Sequence, residues 1–427
     1  MRSLMTDAWL LFSTLLAGIG FSSGSVPLVV IGALLFCTGG AARLWSRISL
    51  EQVFFTRTLS EHRVFVGETV LATLILENRK TLPVPWMEMR ETLPRGMPAI
   101  NVRTSPGQVP GSQVLERATA LGRQDHLEWP ITLRAVRRGY YRVGPTRLKS
   151  GDIFGFFERE EETGRPVDGI VVYPLTYPLP DLGLDSARPF GDYRGGNRIH
   201  EDPSRVIGVR DYMPGDPMKR IDWYATARVS RLQSRLYEPS REQSVIVALN
   251  IPTFELTWQG SDPILLERGV AVAASVARWA ADEGNALGLV ANGSFADADR
   301  TIRIGAGRGS DRLSRVLEAL AMITAFTTSN MAGDLEDPAY PLPAGATVVL
   351  IAAVMPDDLA ATLFRLRARG HFVAVVKTTN AVWDRSIDPI PVVTVATAME
   401  ALEADESRAP VRDLPIDPVT RAVEVPA

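Results

Sequence analysis

One cysteine, Cys37, stands in 427 residues, so the chain has no disulfide framework and no cysteine-rich zinc site. Histidine is nearly as scarce. His62, His126, His200 and His371 lie far apart, without the short spacings that metal ligation uses. An excess of one charge is lacking too. The 46 Lys and Arg against 49 Asp and Glu leave a net charge of −3, which argues against nucleic acid as a partner of the whole chain. No cofactor-binding motif stands out. What remains is ample apolar content, enough for two or three domains with real cores.

Part of that content lies in two long runs near the start. Ala8 to Phe21 is apolar apart from Ser13 and Thr14, and Val26 to Ala42 is apolar or small throughout. Spanning a bilayer takes roughly 20 apolar residues, which the first run reaches when extended back to Met5. Residues 1–49 are therefore expected to form a transmembrane helical hairpin, about 5–21 and 26–42, turning at Ser22–Ser25. A signal peptide is the rival reading of the first run, and a buried soluble hairpin is the third. Against a signal peptide stand the single Arg2 before the run and the second run directly after it. Arg43, Arg47 and Arg57 follow the second run, while the connecting loop is uncharged. The positive-inside rule then puts both ends in the cytoplasm, with the bulk of the chain there.

From residue 50 to about 180 the pattern changes to short alternating runs broken by Gly and Pro. Thr58–Val66, Glu68–Glu77, Val114–Ala120, Leu127–Val136 and Tyr140–Leu148 read as strands of an all-β sandwich. Pro83, Pro85, Pro94 and Pro98 mark a loop and edge-strand region. Asp181 to Asn197 is linker-like. From Ser244 the period changes again. Apolar strands at Ser244–Ile251, Ala286–Ala291, Ala346–Ala352 and Phe372–Val376 alternate with helical stretches at Ile264–Glu283, Asp311–Ile323 and Pro356–Arg369. That alternation predicts a doubly wound α/β domain over residues 244–400. Residues 401–427, rich in Asp, Glu, Pro and Arg, read as a flexible tail.

The densest run of signals is Arg205 to Tyr237, within a linker and signature segment at 181–243. Pro214-Gly215 is a turn signal. Asp216 fits a helix N-cap and Pro217 the first helical position, so a helix is expected from Pro217 to about Ala227. On it Lys219, Trp223 and Ala227 would share one stripe, and Arg220, Tyr224 and Arg228 the next. Arg205 to Arg235 holds seven Lys or Arg against three Asp. With no nucleophile–base pair or phosphate loop in the run, it reads as a docking element.

The run Arg210-Asp211-Tyr212-Met213-Pro214-Gly215-Asp216, then Arg220-Ile221-Asp222-Trp223 and Ala225-Thr226-Ala227-Arg228, resembles the signature of the bacterial domain-of-unknown-function 58 family. Arg137-Arg138-Gly139-Tyr140-Tyr141, followed by Asp152-Ile153-Phe154-Gly155, is similar to that family as well. The resemblance implies an immunoglobulin-like sandwich after the membrane anchor, then a von Willebrand factor A-like α/β domain. It also implies a partner, an ATPase of the MoxR type within the AAA+ group, with which such proteins are commonly encoded. Candidate docking residues are Arg210, Tyr212, Gly215, Asp216, Arg220, Asp222, Trp223 and Arg228.

A metal-binding A-type domain carries Asp-x-Ser-x-Ser after its first strand. Here Asn250, Pro252 and Phe254 stand in those places, so the carboxylate and both hydroxyls that would hold a divalent cation are gone. The site reads as degenerate, and no metal is expected. The leading expectation is a membrane-anchored scaffold or adaptor in a bacterial inner membrane, not an enzyme. The alternatives are a hydrolase using Asp211, Asp216 and Asp222, or a metal-dependent ligand-binding protein.

Overall fold

The structure, a computed structural model, describes residues 2–153, 155, 157–164, 166–185, 201–213, 216–239, 244–295 and 301–408. The chain divides between Pro174 and Leu175 into two compact units.

The first unit opens with helices α1 (Arg2–Ser22) and α2 (Val26–Ser49). They pack tightly: a Cβ at Gly32 would lie 2.6 Å from the Ala17 backbone nitrogen, so only glycine fits there. Leu11, Phe12, Leu15, Leu34 and Phe36 point outward and are exposed. α2 is long and apolar enough to cross a membrane. It does not stop near Ala42 as expected. No helix breaker intervenes, and it continues through Arg43 and Arg47.

Eleven strands follow in this unit: β1 (Val53–Leu59), β2 (Arg63–Phe65), β3 (Thr69–Asn78), β4 (Val84–Pro94), β5 (Ser105–Pro106), β6 (Ser112–Leu121), β7 (His126–Arg134), β8 (Gly139–Val143), β9 (Thr146–Gly151), β10 (Glu158–Glu162) and β11 (Asp168–Tyr173). They form sheets of order β1-β3-β7, β10-β9-β4-β6-β5 and β2-β11-β8. Period-two patterning sends Val70, Ala72, Leu74 and Leu76 of β3 into one core with Met87, Met89 and Leu93 of β4.

Two sequence expectations change here. The run Tyr140–Leu148 is two strands, because Gly144 at φ +102° turns the chain between them. The proline-rich stretch is no edge. β4 lies inside its sheet between β9 and β6, with Pro85 within a register shift and Pro94 at the strand end.

Two charged side chains occupy core slots of this unit. Arg57 of β1 and Glu91 of β4 are both buried and pair across the core. Arg57 Nε also donates to Asp168 Oδ2 of β11 at 2.7 Å, so one guanidinium ties three sheets together. Burial pushes the Glu91 carboxyl up, opposed by Arg57 and the Thr146 hydroxyl.

The second unit holds a two-stranded ribbon, β12 (Glu201–Asp211) with β13 (Gln233–Pro239), interrupted by helix α3 (Trp223–Val229). Its α/β part comprises β14 (Ser244–Leu249), α4 (Pro263–Asp282), β15 (Ala286–Ala291), β16 (Gly293–Phe295), β17 (Ile302–Gly307), α5 (Ser310–Met322), β18 (Ile323–Thr327), α6 (Met331–Leu335), β19 (Thr347–Ala352), α7 (Asp357–Ala368), β20 (Phe372–Lys377), β21 (Val392–Thr394) and α8 (Ala396–Arg408). Six strands make one sheet of order β17-β15-β14-β19-β20-β21, parallel except for antiparallel β17 at one edge. β14 and β19 sit at its centre and are almost wholly buried, which explains their unbroken apolar runs.

Helices α6 and α7 cover one face through Met331, Leu335, Leu359 and Leu363. Alanine-rich α4 packs on the other face, capped by Asp262, which accepts from the Ile264 amide at 2.8 Å. The expected flexible tail from residue 401 is corrected in part. α8 runs on to Arg408, held by Arg268, whose Nε donates to Glu403 Oε1 at 2.6 Å.

Candidate functional site

The signature segment forms an arm. β12 and β13 pair antiparallel from Glu201↔Pro239 to Asp211↔Gln233, and the signature residues fill the excursion between them. The expected helix from Pro217 is not formed. Met218–Arg220 make one 3-10 turn, and Ile221 then extends to bridge Ser234. The helix starts only at Trp223.

The reason lies in where the carboxylates go. Asp216 is not an N-cap. Its Oδ1 accepts from Arg210 Nη2 at 2.7 Å and its Oδ2 from the Met213 amide at 3.0 Å, closing the turn behind it. Asp222 is the cap instead, accepting from the Tyr224 and Ala225 amides at 3.1 and 3.0 Å. Its second oxygen takes Arg235 Nε at 3.1 Å, tying the helix start to β13.

Both carboxyls are held below the usual carboxylate range. Arg210 is the main cause for Asp216, and the Ala225 amide for Asp222. Asp211 is engaged as well, accepting from Gln233 Nε2 at 2.5 Å. The Tyr212 hydroxyl donates to the Asp216 carbonyl at 3.2 Å.

The candidate docking residues therefore divide. Arg210, Tyr212, Asp216 and Asp222 hold the arm's own shape, and Arg220 sits where its charge helps keep Asp216 ionised. Gly215, with Pro214, lies outside the described residues. Trp223 and Arg228 face solvent, Trp223 being 65% exposed. Tyr224 is exposed too, with the Arg228 guanidinium over its ring at 4.7 Å, while Arg220, the third member of the expected stripe, lies in the separate 3-10 turn. Lys219 is also exposed, whereas Ala227 belongs to a separate helix and shares no stripe with it. With Asp216 and Asp222 engaged in its own hydrogen bonds, the arm shows solvent an aromatic and cationic surface that includes Met213 and Met218. Gln233, Arg235 and Thr226, whose Oγ1 accepts from the Gln233 amide at 3.0 Å, complete the network. Sequence reasoning missed Gln233 and Arg235, because their role appears only once β13 pairs with β12.

The carboxyl ends of the parallel strands are where an open α/β sheet presents its ligand crevice. Here that crevice is nearly closed. A cavity of about 10 Å³ remains among Asn250, Ile251, Thr253, Leu266, Ile351 and Thr378, room for no more than one water. The Asn250 Oδ1 accepts from Asn292 Nδ2 at 3.0 Å, and Asn292 Oδ1 accepts from the Ile251 amide at 2.8 Å. Pro252 brings no oxygen from its side chain, and Phe254 is partly exposed. Asp358 accepts from the Leu359 amide at 2.8 Å in the first turn of α7, and Asp357 pairs with Arg385. Among the described residues no group of three or more His, Cys, Asp and Glu is placed to hold a metal ion.

The described residues thus comprise an apolar N-terminal hairpin, a sheet-rich unit and an α/β unit bearing a basic arm. Residues 208–408 match the family described as "Protein of unknown function DUF58". The uncharacterized protein YeaD of Bacillus subtilis (strain 168) is 24% identical over 196 residues, 46% of this chain and 47% of that protein. The match thus spans about half the length of this curated relative. Among solved structures, the CARDB domain of a Pyrococcus furiosus protein aligns with 28% of this chain and 91% of its own, at 13% identity and a TM-score of 0.20. Proximal thread matrix protein 1 from the mussel byssus aligns with 38% of this chain and 46% of its own, at 7% identity and a TM-score of 0.28. Similarity this low carries no inference about function.

Proposed function

We propose that this protein is a membrane-anchored adaptor whose signature arm docks a protein partner, an ATPase of the MoxR type. The observation that carries the reading is the arm itself. The three aspartates of its signature run, Asp211, Asp216 and Asp222, make hydrogen bonds within the arm, and Trp223, Tyr224, Met218, Lys219 and Arg228 stand toward solvent. A two-stranded ribbon is marginally stable by itself, so a sequence that invests in holding one rigid has a use for its surface. Exposed Trp, Tyr and Arg are the residue types that dominate binding energy at protein interfaces.

The α/β unit supports an A-type reading through its strand order and its antiparallel edge strand. In that reading Asn250, Pro252 and Phe254 are a lapsed metal position, filled by the Asn250–Asn292 amide pair. An immunoglobulin-like reading of the first unit is supported by its mainly antiparallel sheets around one core, β2 with β11 being the parallel pair. α1 and α2 serve as the anchor, with the arginines after α2 favouring a cytoplasmic location for both units. A hydrolase built on Asp211, Asp216 and Asp222 finds less support, since each carboxylate is already engaged.

The test is a pull-down from detergent-solubilised membranes with the intact protein and a Trp223→Ala, Lys219→Ala variant, read by mass spectrometry. Both changes are on exposed residues, and an unchanged melting curve verifies the fold. An AAA+ ATPase recovered with the intact protein and lost with the variant supports docking. Equal recovery with both, or recovery with neither, overturns it.

A further inference from the structure

The junction between α2 and the sheets contains a cavity that the adaptor reading does not use. At the end of α2, the Lys80 ammonium donates to the carbonyls of Ile48, at 2.8 Å, and of Ser49 and Glu51. Arg159 Nη1 of β10 donates to the Arg47 carbonyl at 2.6 Å. These bonds fix the helix end directly onto the first unit's sheets. Beside them opens a cavity of about 250 Å³. Its floor is Leu50, Phe55 and Leu148, all buried, and the partly exposed Val53 and Phe54 form a wall. Glu161 and Glu162 of β10 line it from exposed positions. Glu161 pairs with Arg159, and Glu162 faces Arg147 Nε at 3.7 Å.

We propose that this cavity binds a phospholipid with a primary ammonium headgroup, its glycerol and first methylenes on the apolar floor and its ammonium against Glu161 and Glu162. The inference rests on reading α2 as a membrane span. The apolar stretch of α2 ends at Ala42 and the helix runs on to Ser49, about 10 Å further at roughly 1.5 Å per residue, which sets residues 50–55 by the headgroup layer, where lipid is the most concentrated ligand. The volume falls short of the roughly 300–1,000 Å³ that encloses drug-sized molecules, so only the interfacial part of a lipid enters. Charge selects the headgroup. Each carboxylate has an arginine beside it, so the rim is close to neutral and matches a zwitterion, with the ammonium against Glu161 and Glu162 and the phosphate against Arg147 and Arg159. A quaternary headgroup cannot donate hydrogen bonds to carboxylates, whereas a primary ammonium offers three donors.

The experiment uses the full chain in detergent. It is incubated with an equimolar mixture of phosphatidylethanolamine, phosphatidylcholine and phosphatidylglycerol and read by native mass spectrometry. The expected result is preferential retention of phosphatidylethanolamine, reduced at least about threefold by Glu161→Gln with Glu162→Gln, the scale of two partly exposed charge contacts. Both positions are exposed, so the variant folds. Retention without headgroup preference, or an unchanged preference in the variant, overturns the proposal. Glycerophosphoethanolamine is the competitor. If it binds as well as the whole lipid, the site takes a soluble amine and the lipid assignment is wrong. Alkaline carbonate extraction separates the two failures. A chain released from membranes sinks the anchor reading itself, whereas a chain that stays embedded yet shows no preference sinks only the cavity's role.

Discussion

Asn292 Nδ2 donates to Asn250 Oδ1 at 3.0 Å, and both side chains are buried at the carboxyl ends of neighbouring parallel strands. Under the proposed A-type reading, the oxygen that would face a cation thus accepts from an amide. Asn250→Asp restores the carboxylate but not the site, since Pro252 and Phe254 still supply no side-chain oxygen. The Asn250 amide also faces the Val354 carbonyl at 3.5 Å, where a carboxylate oxygen would be repelled. The variant is expected to lose about 1–3 kcal/mol of stability, the cost of an ill-matched buried polar group. Its melting temperature should not recover with Mg²⁺. A rise that EDTA reverses would show that one carboxylate suffices to rebuild a site.

In the arm, Asp222 caps α3 and Asp216 closes the preceding turn, both with lowered carboxyl pKa. A depressed folded value means that the stabilisation is complete above the unfolded carboxyl pKa and fades as pH falls through the folded one. The arm should therefore lose order in acid. Amide exchange at Tyr224 and Ala225, referenced to β14 amides, should accelerate as pH drops from about 6 towards 3, near the ordinary carboxyl pKa. Asp222→Ala should speed exchange on the order of fivefold at neutral pH, the usual scale of a lost N-cap, and abolish most of that pH dependence. Exchange that is flat with pH in the native protein would rule out the carboxylates as the arm's fasteners.

The buried Arg57–Glu91 pair makes the opposite kind of contribution, through the core. Arg57→Met leaves Glu91 buried without its cation, and the expected loss is about 3–5 kcal/mol in urea unfolding. Adding Glu91→Leu to Arg57→Met should return most of that stability, since well-packed apolar pairs often replace buried ion pairs at little cost. Asp168, partly exposed, then turns to water. A double variant as unstable as the single one would mean the ion pair is itself the source of stability.

How much of this was legible in advance varies with the physics involved. Strict alternation in β3 and β7 and unbroken apolar runs in β14 and β19 announce an antiparallel sheet and a parallel one, because burial on one or two faces writes those patterns directly. Asp216 and Asp222 look alike in the sequence, each a carboxylate ahead of a helical stretch. Arg210 and the Met213 amide, which claim Asp216, are local, but the claim depends on β12 being a strand. Glu91 reads as an exposed residue of a proline-rich loop until β4 is seen to put every second side chain into the core. Contacts between residues distant in the chain, such as Asn250 with Asn292 or Lys80 with the end of α2, leave no periodic trace. The arm's aromatics are visible in the sequence, but the hydrogen bonds that engage Asp211, Asp216 and Asp222 are not.

Lys80 offers a test of how α2 is fixed to the first unit. Its ammonium is drawn from water to cap the helix's last carbonyls, and burial pushes its pKa below the ordinary 10.5, with Glu51 partly opposing. For a depressed lysine the unfolded chain binds the proton more tightly. The charged group therefore works against folding at neutral pH, and that penalty fades as pH rises through the folded value towards 10.5. The native protein should gain stability as pH rises from neutral towards 10.5 relative to Lys80→Met, which has nothing to titrate there. At neutral pH the same variant should still be the less stable one, because the carbonyls of Ser49 and Glu51, at and just beyond the end of α2, lose the ammonium as donor. Thermal melting of both proteins across that pH range checks each half separately. Parallel curves would mean Lys80 keeps a normal pKa. A variant as stable as the native protein at neutral pH would mean that water caps the helix as well as the ammonium does.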